Sequence, residues 1–161
     1  MDSPPFPAAV IAAAREAAKA HLRIAGASED ALIDGLAATA LALAERFTGT
    51  VLIARDFAEA LEPARHWQAL GAVPVTEIEA GRDAAIDIDA QGVGRVRTAA
   101  RARVAYRAGA AAGWGDLPPP IATGVVLLTA HLFDHRGGES APPAAVTALW
   151  RPWRRMRLAA A

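Results

Sequence analysis

Residues Ile121 to His135 constrain the fold more than any other stretch of this chain. Ile121, Val125, Val126, Leu127, Leu128, Leu132 and Phe133 place large apolar side chains on nearly every face of a helix. A helix that is apolar all round must be wrapped all round by other elements. It is too short to cross a bilayer. The apolar run Ile121 to Phe133 has 13 residues, is interrupted by Thr123, Gly124, Thr129 and His131, and ends at Asp134, whereas a span needs about 20. The rest of the chain must therefore supply a coat. With 161 residues in all, one domain is expected, since domains run to roughly 100–200 residues. Pro118-Pro119-Pro120 opens the central helix, where proline is tolerated, and Gly137-Gly138 stops it.

Two helices upstream can form part of that coat. Pro4, Pro5 and Pro7 precede an Ala-rich helical stretch from Ala8 to Leu22, with Val10, Ala13 or Ala14, Ala17 and His21 along one stripe and Ile24-Ala25-Gly26 at its end. Ser28 is a good N-cap for the next helix, and Glu29 and Asp30 favour its positive end. That helix runs to about Phe47. Leu32, Leu36, Ala40, Leu43 and Phe47 recur at 4, 4, 3 and 4 residues, a narrow seam for a partner helix. Gly49 is its expected C-terminal stop.

The middle of the chain has a different period. Val51-Leu52-Ile53 is a short apolar run, and Arg55 to Leu70 reads as helical. Val73 to Ile78 is an edge-strand candidate, because Pro74 is tolerated at an edge. Ile86 and Ile88 alternate with Asp87 and Asp89, and Ala90-Gln91-Gly92 turns the chain into Val93 to Arg97, a hairpin pattern. Val104 and Tyr106 alternate with Arg103 and Arg107, a further strand. Ala108 to Pro120 is a Gly- and Pro-rich loop. Pro142-Pro143 opens a last segment, Ala144 to Leu158, in which Pro152 should kink or end any helix.

Most enzyme classes find no support. The absence of Cys excludes disulfides, thiol catalysis and cysteine-ligated metals. His131 and His135 share a helix face, but the residues between them are Leu132-Phe133-Asp134, without the glutamate base of a zinc protease. Two imidazoles without a third ligand make a poor metal site; His21 and His66 have no evident partners. Gly92-Val93-Gly94 lacks the third glycine of a dinucleotide loop, no Gly-Lys-Ser/Thr exists, and Ser3, Ser28 and Ser140 lie outside any nucleophile elbow. Asp87 and Asp89 lie on one face of a strand, where solvated hairpin acids are the common reading. No catalytic residue, no metal ligand and no cofactor is expected. Met1-Asp2-Ser3-Pro4-Pro5 lacks a secretory signal pattern, so a soluble chain made in the cytoplasm is the expectation.

Charge is distributed unevenly. Residues 1–92 carry 7 bases and 14 acids, a net of −7, and residues 93–161 carry 10 bases and 3 acids, a net of +7. Such poles can neutralise one another within the fold or face different neighbours. The 43 alanines and a single lysine, Lys19, among the 17 bases point to a GC-rich coding sequence rather than to function. The C-terminal run Trp150-Arg151-Pro152-Trp153-Arg154-Arg155-Met156-Arg157-Leu158 is the unusual feature. Trp and Arg dominate interface energetics when buried, and guanidinium planes stack on indoles. The bland alternative is that the tryptophans cover the core while the arginines face water.

Three stretches carry a resemblance. Ala17-Ala18-Lys19-Ala20-His21-Leu22-Arg23-Ile24, followed by Ser28 to Ile33, resembles an opening "EAKxHLRI…DDALI". Val104 to Gly109, then Gly115 to Ile121 and Leu127 to Arg136, is similar to "YxAGxG…VPxxIxxAxLLLxAHxYExR". Ala148 to Leu158 resembles a closing "ALLxPYRRxRL". In this order the three stretches resemble the motifs of the head–tail connector (adaptor) proteins of long-tailed phages and of the related alphaproteobacterial gene transfer agents. The match covers about residues 12–50 and 103–158, while residues 50–102 match little.

The resemblance implies a mainly α fold, a small helical bundle with a short β-hairpin or β insertion in the middle. It implies a single helical connector domain at 1–141, with the insertion at about 50–107, and a C-terminal portal-docking segment at 142–161. The implied protein is a non-enzymatic structural part of a virion or particle head–tail interface, with the host cytoplasm as its place during assembly. Its partners would be the portal protein, a stopper or tail-completion protein, and further copies of itself in a twelvefold ring. Packaged DNA would pass through without specific binding, and no membrane is involved. The portal-binding residues carried over are Trp150, Arg151, Trp153, Arg154, Arg155, Met156, Arg157 and Leu158. In the free subunit this segment is expected to be mobile or loosely docked. Two rivals predict otherwise: a small nucleic-acid-binding module whose Arg/Trp-rich tail contacts phosphates, with affinity falling steeply with salt, and a small metal enzyme using His131 and His135.

Overall fold

The computed structural model describes residues 3–136 and 141–155. Its elements, in chain order, are α1 (Ala8–Leu22), α2 (Asp30–Thr48), β1 (Arg55–Leu61), β2 (Gln68–Ala69), β3 (Val75–Glu79), β4 (Ala84–Ile88), β5 (Gly94–Thr98), β6 (Ala102–Ala108), α3 (Pro119–Asp134) and α4 (Ala144–Trp150). The strands form two three-stranded antiparallel sheets, ordered β1-β6-β3 and β2-β5-β4. They enclose an apolar core of their own, built on Phe57, Leu70, Val96, Val104 and Tyr106. The expectation of a mainly α bundle with a short β insertion is therefore corrected: this is a mixed α/β fold with a helical layer and a β layer, each with its own core.

The error arose at Arg55 to Leu70, which reads as helical and contains β1 and β2. In Arg-Asp-Phe-Ala-Glu-Ala-Leu, the alanines, the glutamate and the Phe57–Leu61 spacing all favour a helix. The inward row of β1 is Arg55, Phe57, Glu59 and Leu61, so two of its four members are charged and the alternation of a half-buried strand is hidden. Pairing along the whole length of β6, from Arg55↔Ala108 to Leu61↔Ala102, overrides local propensity. In β3, β4, β5 and β6 the patterns hold. The β4–β5 hairpin sets Ile86 opposite Val96, β3 is an edge strand, and β6 is central in its sheet.

In the helical layer α3 packs against α1, α2 and α4. It buries Ile121, Gly124, Val125, Leu128, Thr129 and Ala130, as an all-round apolar helix requires. The Thr129 hydroxyl is satisfied by the Val125 carbonyl at 2.8 Å. The buried stripe of α1 is Val10, Ala14 and Ala18, with His21 exposed. The buried face of α2 also differs from the expected leucine seam. It comprises Ile33, Ala37, Ala40, Leu41, Ala44 and Thr48, while Leu32 and Leu43 stay 38% and 41% exposed. Alanines on that face let α1 and α3 approach closely, and this leaves the larger leucines outside. Gly49 ends α2 in the left-handed region at φ 67°, as expected of a C-terminal glycine. Among the described residues no helix is long and apolar enough to cross a membrane.

A candidate docking surface at the end of α2

The C-terminal run divides at Pro152. The α4 helix ends at Trp150, and Arg151–Trp153 continue as a single 3-10 turn, because Pro152 has no N–H to extend the helical ladder. Trp150 and Trp153, which an unbroken helix would place near one face, thus separate. Trp150 is 3% exposed and belongs to the helical core, whereas Trp153 is 43% exposed. The Trp150 indole lies directly on Gly124 of α3. A Cβ at that glycine would come within 2.2 Å of Nε1, and Nε1 donates to the Ile121 carbonyl at 3.3 Å. Phe47 packs on its other side, ring centres 6.0 Å apart and tilted by 52°. The free-subunit picture of a loosely docked segment is corrected at this residue: Trp150 is a core anchor.

Beyond Trp153 the backbone crosses the C-terminal end of α2. The Arg155 N–H donates to the Thr48 carbonyl at 2.7 Å, satisfying one of the orphan acceptors of a helix end. The Arg155 guanidinium donates to the Gln91 carbonyl in the β4–β5 turn. The Arg154 guanidinium lies 5.8 Å above the Phe47 ring. These cations sit at the negative end of α2, where they complement its dipole. Arg151, Trp153 and Arg154 are exposed and Arg155 is half-buried. Met156, Arg157 and Leu158 lie outside the described residues.

Two grooves flank this crossing, and Arg46, Phe47 and Arg154 line both. One, of about 420 Å³, runs between α2 and α4 over Leu43, Phe47, Leu128 and Val146. The other, of about 970 Å³, lies between the N-terminal Ser3–Phe6 segment and Arg154 and Arg155. Its wall includes Glu45, whose Oε1 accepts from the Leu52 N–H at 2.8 Å and whose Oε2 accepts from Arg55 at 2.7 Å. The Arg55 guanidinium is buried, lies 4.2 Å above the Phe6 ring and also donates to the Ser3 hydroxyl at 3.2 Å. Its Nε and Nη1 have no hydrogen-bond partner among the described residues, so its charge rests on Glu45, the Ser3 hydroxyl and the aromatic face. This pair ties α2 to β1 underneath the crossing, and its two members drew no notice in the sequence.

A second buried polar bridge supports the β layer. Tyr106 donates to Glu59, which also accepts from the Gly71 N–H at 2.9 Å, and the Tyr106 oxygen accepts from the Ala72 N–H at 3.3 Å. Burial, and then the adjoining Glu59 carboxylate, push the phenol's pKa well above its ordinary value.

The histidines form no comparable centre. The His131 and His135 rings lie 4.3 Å apart, and His135 Nδ1 sits 2.8 Å from the His131 carbonyl, a contact that makes it a donor. Among the described residues no three His, Asp or Glu side chains are grouped to hold a metal ion. Asp87 and Asp89 are engaged differently: Asp89 caps the hairpin turn and pairs with Arg95 at 2.8 Å, and Asp87 is exposed.

No family model and no curated protein matches the chain. Solved structures do. The chain is similar to a component of the neck of an empty gene transfer agent particle, computed with C6 symmetry, with 26% identity and a TM-score of 0.76. That likeness covers 98% of this chain and 97% of the other. It is likewise similar to a component of the native particle's neck computed with C12 symmetry, at 26% identity, a TM-score of 0.73 and the same coverage. A chain of the whole native particle matches at 25% identity and a TM-score of 0.70, over 98% and 94% of the two chains. The likeness spans both the helical and the β layer, and it supports a structural component of a gene transfer agent neck.

Proposed function

We propose that this chain is a head–tail connector (adaptor) of a phage-like gene transfer agent particle. In this reading, copies form a ring beneath the portal, extend the DNA channel and offer a surface to a stopper or tail-completion protein. The observation that carries it is the near end-to-end likeness to neck components, through both layers, at more than fold-level identity. The three ordered motifs of the sequence agree with it. A structural role also suits the interior. The buried polar groups described above tie elements together, and DNA would pass such a neutral chain without being gripped.

The portal contact falls to residues 142–161, divided by role. Trp150 anchors the segment in the core, and Arg151, Trp153, Arg154 and Arg155 meet the portal, continued by Met156, Arg157 and Leu158. The exposed Trp153 indole would enter an apolar pocket and the guanidinium groups would meet carboxylates. Exposed aromatic and Arg anchors of this kind typically lose at least about 2 kcal/mol each on truncation, roughly 30-fold in affinity.

The test is a pull-down with the portal protein, using the full chain, a chain ending at Trp150, and Trp153→Ala. Circular dichroism and melting check each fold. Both variants should stay folded, the truncation should lose portal binding, and Trp153→Ala should lose it about 30-fold. Undiminished binding by the folded truncation would overturn the assignment.

A further inference from the structure

The two sheets of the β layer enclose one core, so each has an outer face, and the two outer faces point in opposite directions. The subunit covers neither. Pairing register fixes which residues share a face, because directly opposed residues of paired strands point the same way. On the β2-β5-β4 sheet one outward row holds Trp67, Arg97 and Ala85, and the next holds Ala69, Arg95 and Asp87. The Arg97 guanidinium lies 5.1 Å above the Trp67 ring, and the indole stays 42% exposed. On the β1-β6-β3 sheet one outward row is Ala58, Ala105 and Glu79, and the next is Asp56, Arg107 and Glu77. Apart from the half-buried Ala85, all of these residues are exposed.

Charge on these faces is only partly met within the subunit. Arg107 pairs with Asp56 and Arg95 with Asp89, both at 2.8 Å. Arg97, Asp87, Glu77 and Glu79 have no ion-pair partner among the described residues. One face thus carries an unpaired cation stacked on a bare indole. The other carries two unpaired carboxylates beside a flat alanine pair, Ala58 and Ala105. Neither face includes a residue of the segment given to the portal.

We propose that the outer face of the β2-β5-β4 sheet packs on the outer face of the β1-β6-β3 sheet of the next copy, offset by one strand, with Trp67 over Ala105 and Arg97 on Glu79. The proposal rests on the ring reading above, and it names the faces that close the ring. A cyclic assembly of more than two copies needs a heterologous contact, in which one surface meets a different surface of its neighbour. Two faces on opposite sides of one layer supply it. Neighbours in a ring of many copies differ by a small rotation, so their strands meet nearly aligned. The charges then set the offset. Stacked strand over strand, Arg95 would meet Arg107 and Asp87 would meet Glu77, like on like. Moving β5 over β3 and β2 over β6 sets Arg97 on Glu79 and Arg95 on Glu77. In the same register Trp67 lies on Ala105 and the small Ala69 lies on Arg107, while Asp87 stays in water on the overhanging β4. The opposite offset would leave Trp67, Glu77 and Glu79 bare.

Charge reversal with rescue tests the pairing. Full-length Arg97→Glu, Glu79→Arg and the double variant are compared by sedimentation, with rings followed by electron microscopy in solution and on isolated particles. Every position tested is exposed, and melting checks each fold. Each single reversal should weaken self-association at least about tenfold, and the double variant should restore it. Arg97 and Glu79 lie on opposite sides of their own subunit, so rescue reports a contact between copies. Trp67→Ala should weaken association about 30-fold. Ala105→Gln, which fills the seat of the indole, should weaken it as well, whereas Ala58→Gln should leave it unchanged, because Ala58 lies outside the offset contact. Rings that tolerate the reversals and Trp67→Ala would overturn this contact and leave the ring reading standing. Single reversals that the double variant fails to rescue, or a block by Ala58→Gln as strong as that by Ala105→Gln, would overturn it too. Intact rings of Trp67→Ala that no longer bind the purified tail-completion protein would give this face to that partner and overturn the contact between copies. Chains that never associate, in solution or on particles, would overturn both readings.

Discussion

Gly124→Ala puts the Trp150 anchor under direct strain. In an exposed helix this change is stabilising by about 0.8–1 kcal/mol through helix propensity. Here the new methyl carbon would lie 2.2 Å from Trp150 Nε1, 2.8 Å from Cε2 and 2.9 Å from Cδ1. The indole must retreat by more than about 1 Å to reach an ordinary contact near 3.5 Å. Phe47 closes its other side, and the bond from Nε1 to the Ile121 carbonyl is already 3.3 Å long, so retreat breaks it. Overpacking costs about 1–3 kcal/mol, and an unsatisfied buried N–H costs a further ~1–3 kcal/mol. These outweigh the propensity gain, for a net loss centred on about 3 kcal/mol. At roughly 2–4 °C per kcal/mol for a domain of this size, the melting temperature should fall by about 6–12 °C.

The assay is chemical denaturation of wild type, Gly124→Ala, Trp150→Phe and the double variant. Phenylalanine has no N–H to lose and a smaller ring, so Gly124→Ala should cost at least about 1 kcal/mol less in the Trp150→Phe background. On the proposed portal reading, Gly124→Ala should weaken portal binding as well, because the turn bearing Trp153 is carried by Trp150. An unchanged or raised melting temperature, or additivity within about 0.5 kcal/mol, would refute the seating of the indole on Gly124.

Two other predictions test the buried polar groups. Glu45→Ala strands the Arg55 cation between Phe6 and Phe57 and should cost about 3–5 kcal/mol in urea denaturation; a loss under about 1 kcal/mol would show the pair to be dispensable. Tyr106 is the chain's only tyrosine, so tyrosinate absorbance reads it alone. Its folded pKa is raised, so the contribution of the neutral phenol to stability is full below the unfolded value near 10 and fades as pH rises through the folded one. The folded protein should stay free of tyrosinate at a pH where the denatured chain has ionised, and coincident titrations would refute the buried bridge to Glu59.

How much of this was legible in the sequence follows from the kind of signal each element sends. The α1 helix, the α2 stop at Gly49, the β4–β5 hairpin and the β6 strand stand where proline, glycine and simple alternation put them. The β1 strand is hidden in the sequence for a physical reason. Its inward Arg55 and Glu59 are the residues that join β1 to α2 and to Tyr106, so the groups that hold the layers together are those that spoil its hydrophobic alternation. The α2 face was misread for a related reason. Large leucines were expected inside, but close helix packing selected Ala37, Ala40 and Ala44 and left Leu32 and Leu43 outside.

The closing motif shows where one-dimensional reading ends. Its composition marks it as unusual, and Pro152 marks its break, but nothing within the motif tells Trp150 from Trp153. The distinction lies in α3, where Gly124 sits among Ile121, Val125 and Leu128, side chains large enough to fill the space it leaves open. A glycine inside an otherwise bulky buried helix costs about 1 kcal/mol relative to alanine, so it implies a close neighbour. That neighbour is the Trp150 indole. Once Trp150 is committed to Gly124, the missing N–H of Pro152 turns Trp153 away from the core, and the run of arginines after it must cross the end of α2. The exposure of Trp153 and Arg154 is in this sense a consequence of one buried contact, and Gly124→Ala is the perturbation that separates the two.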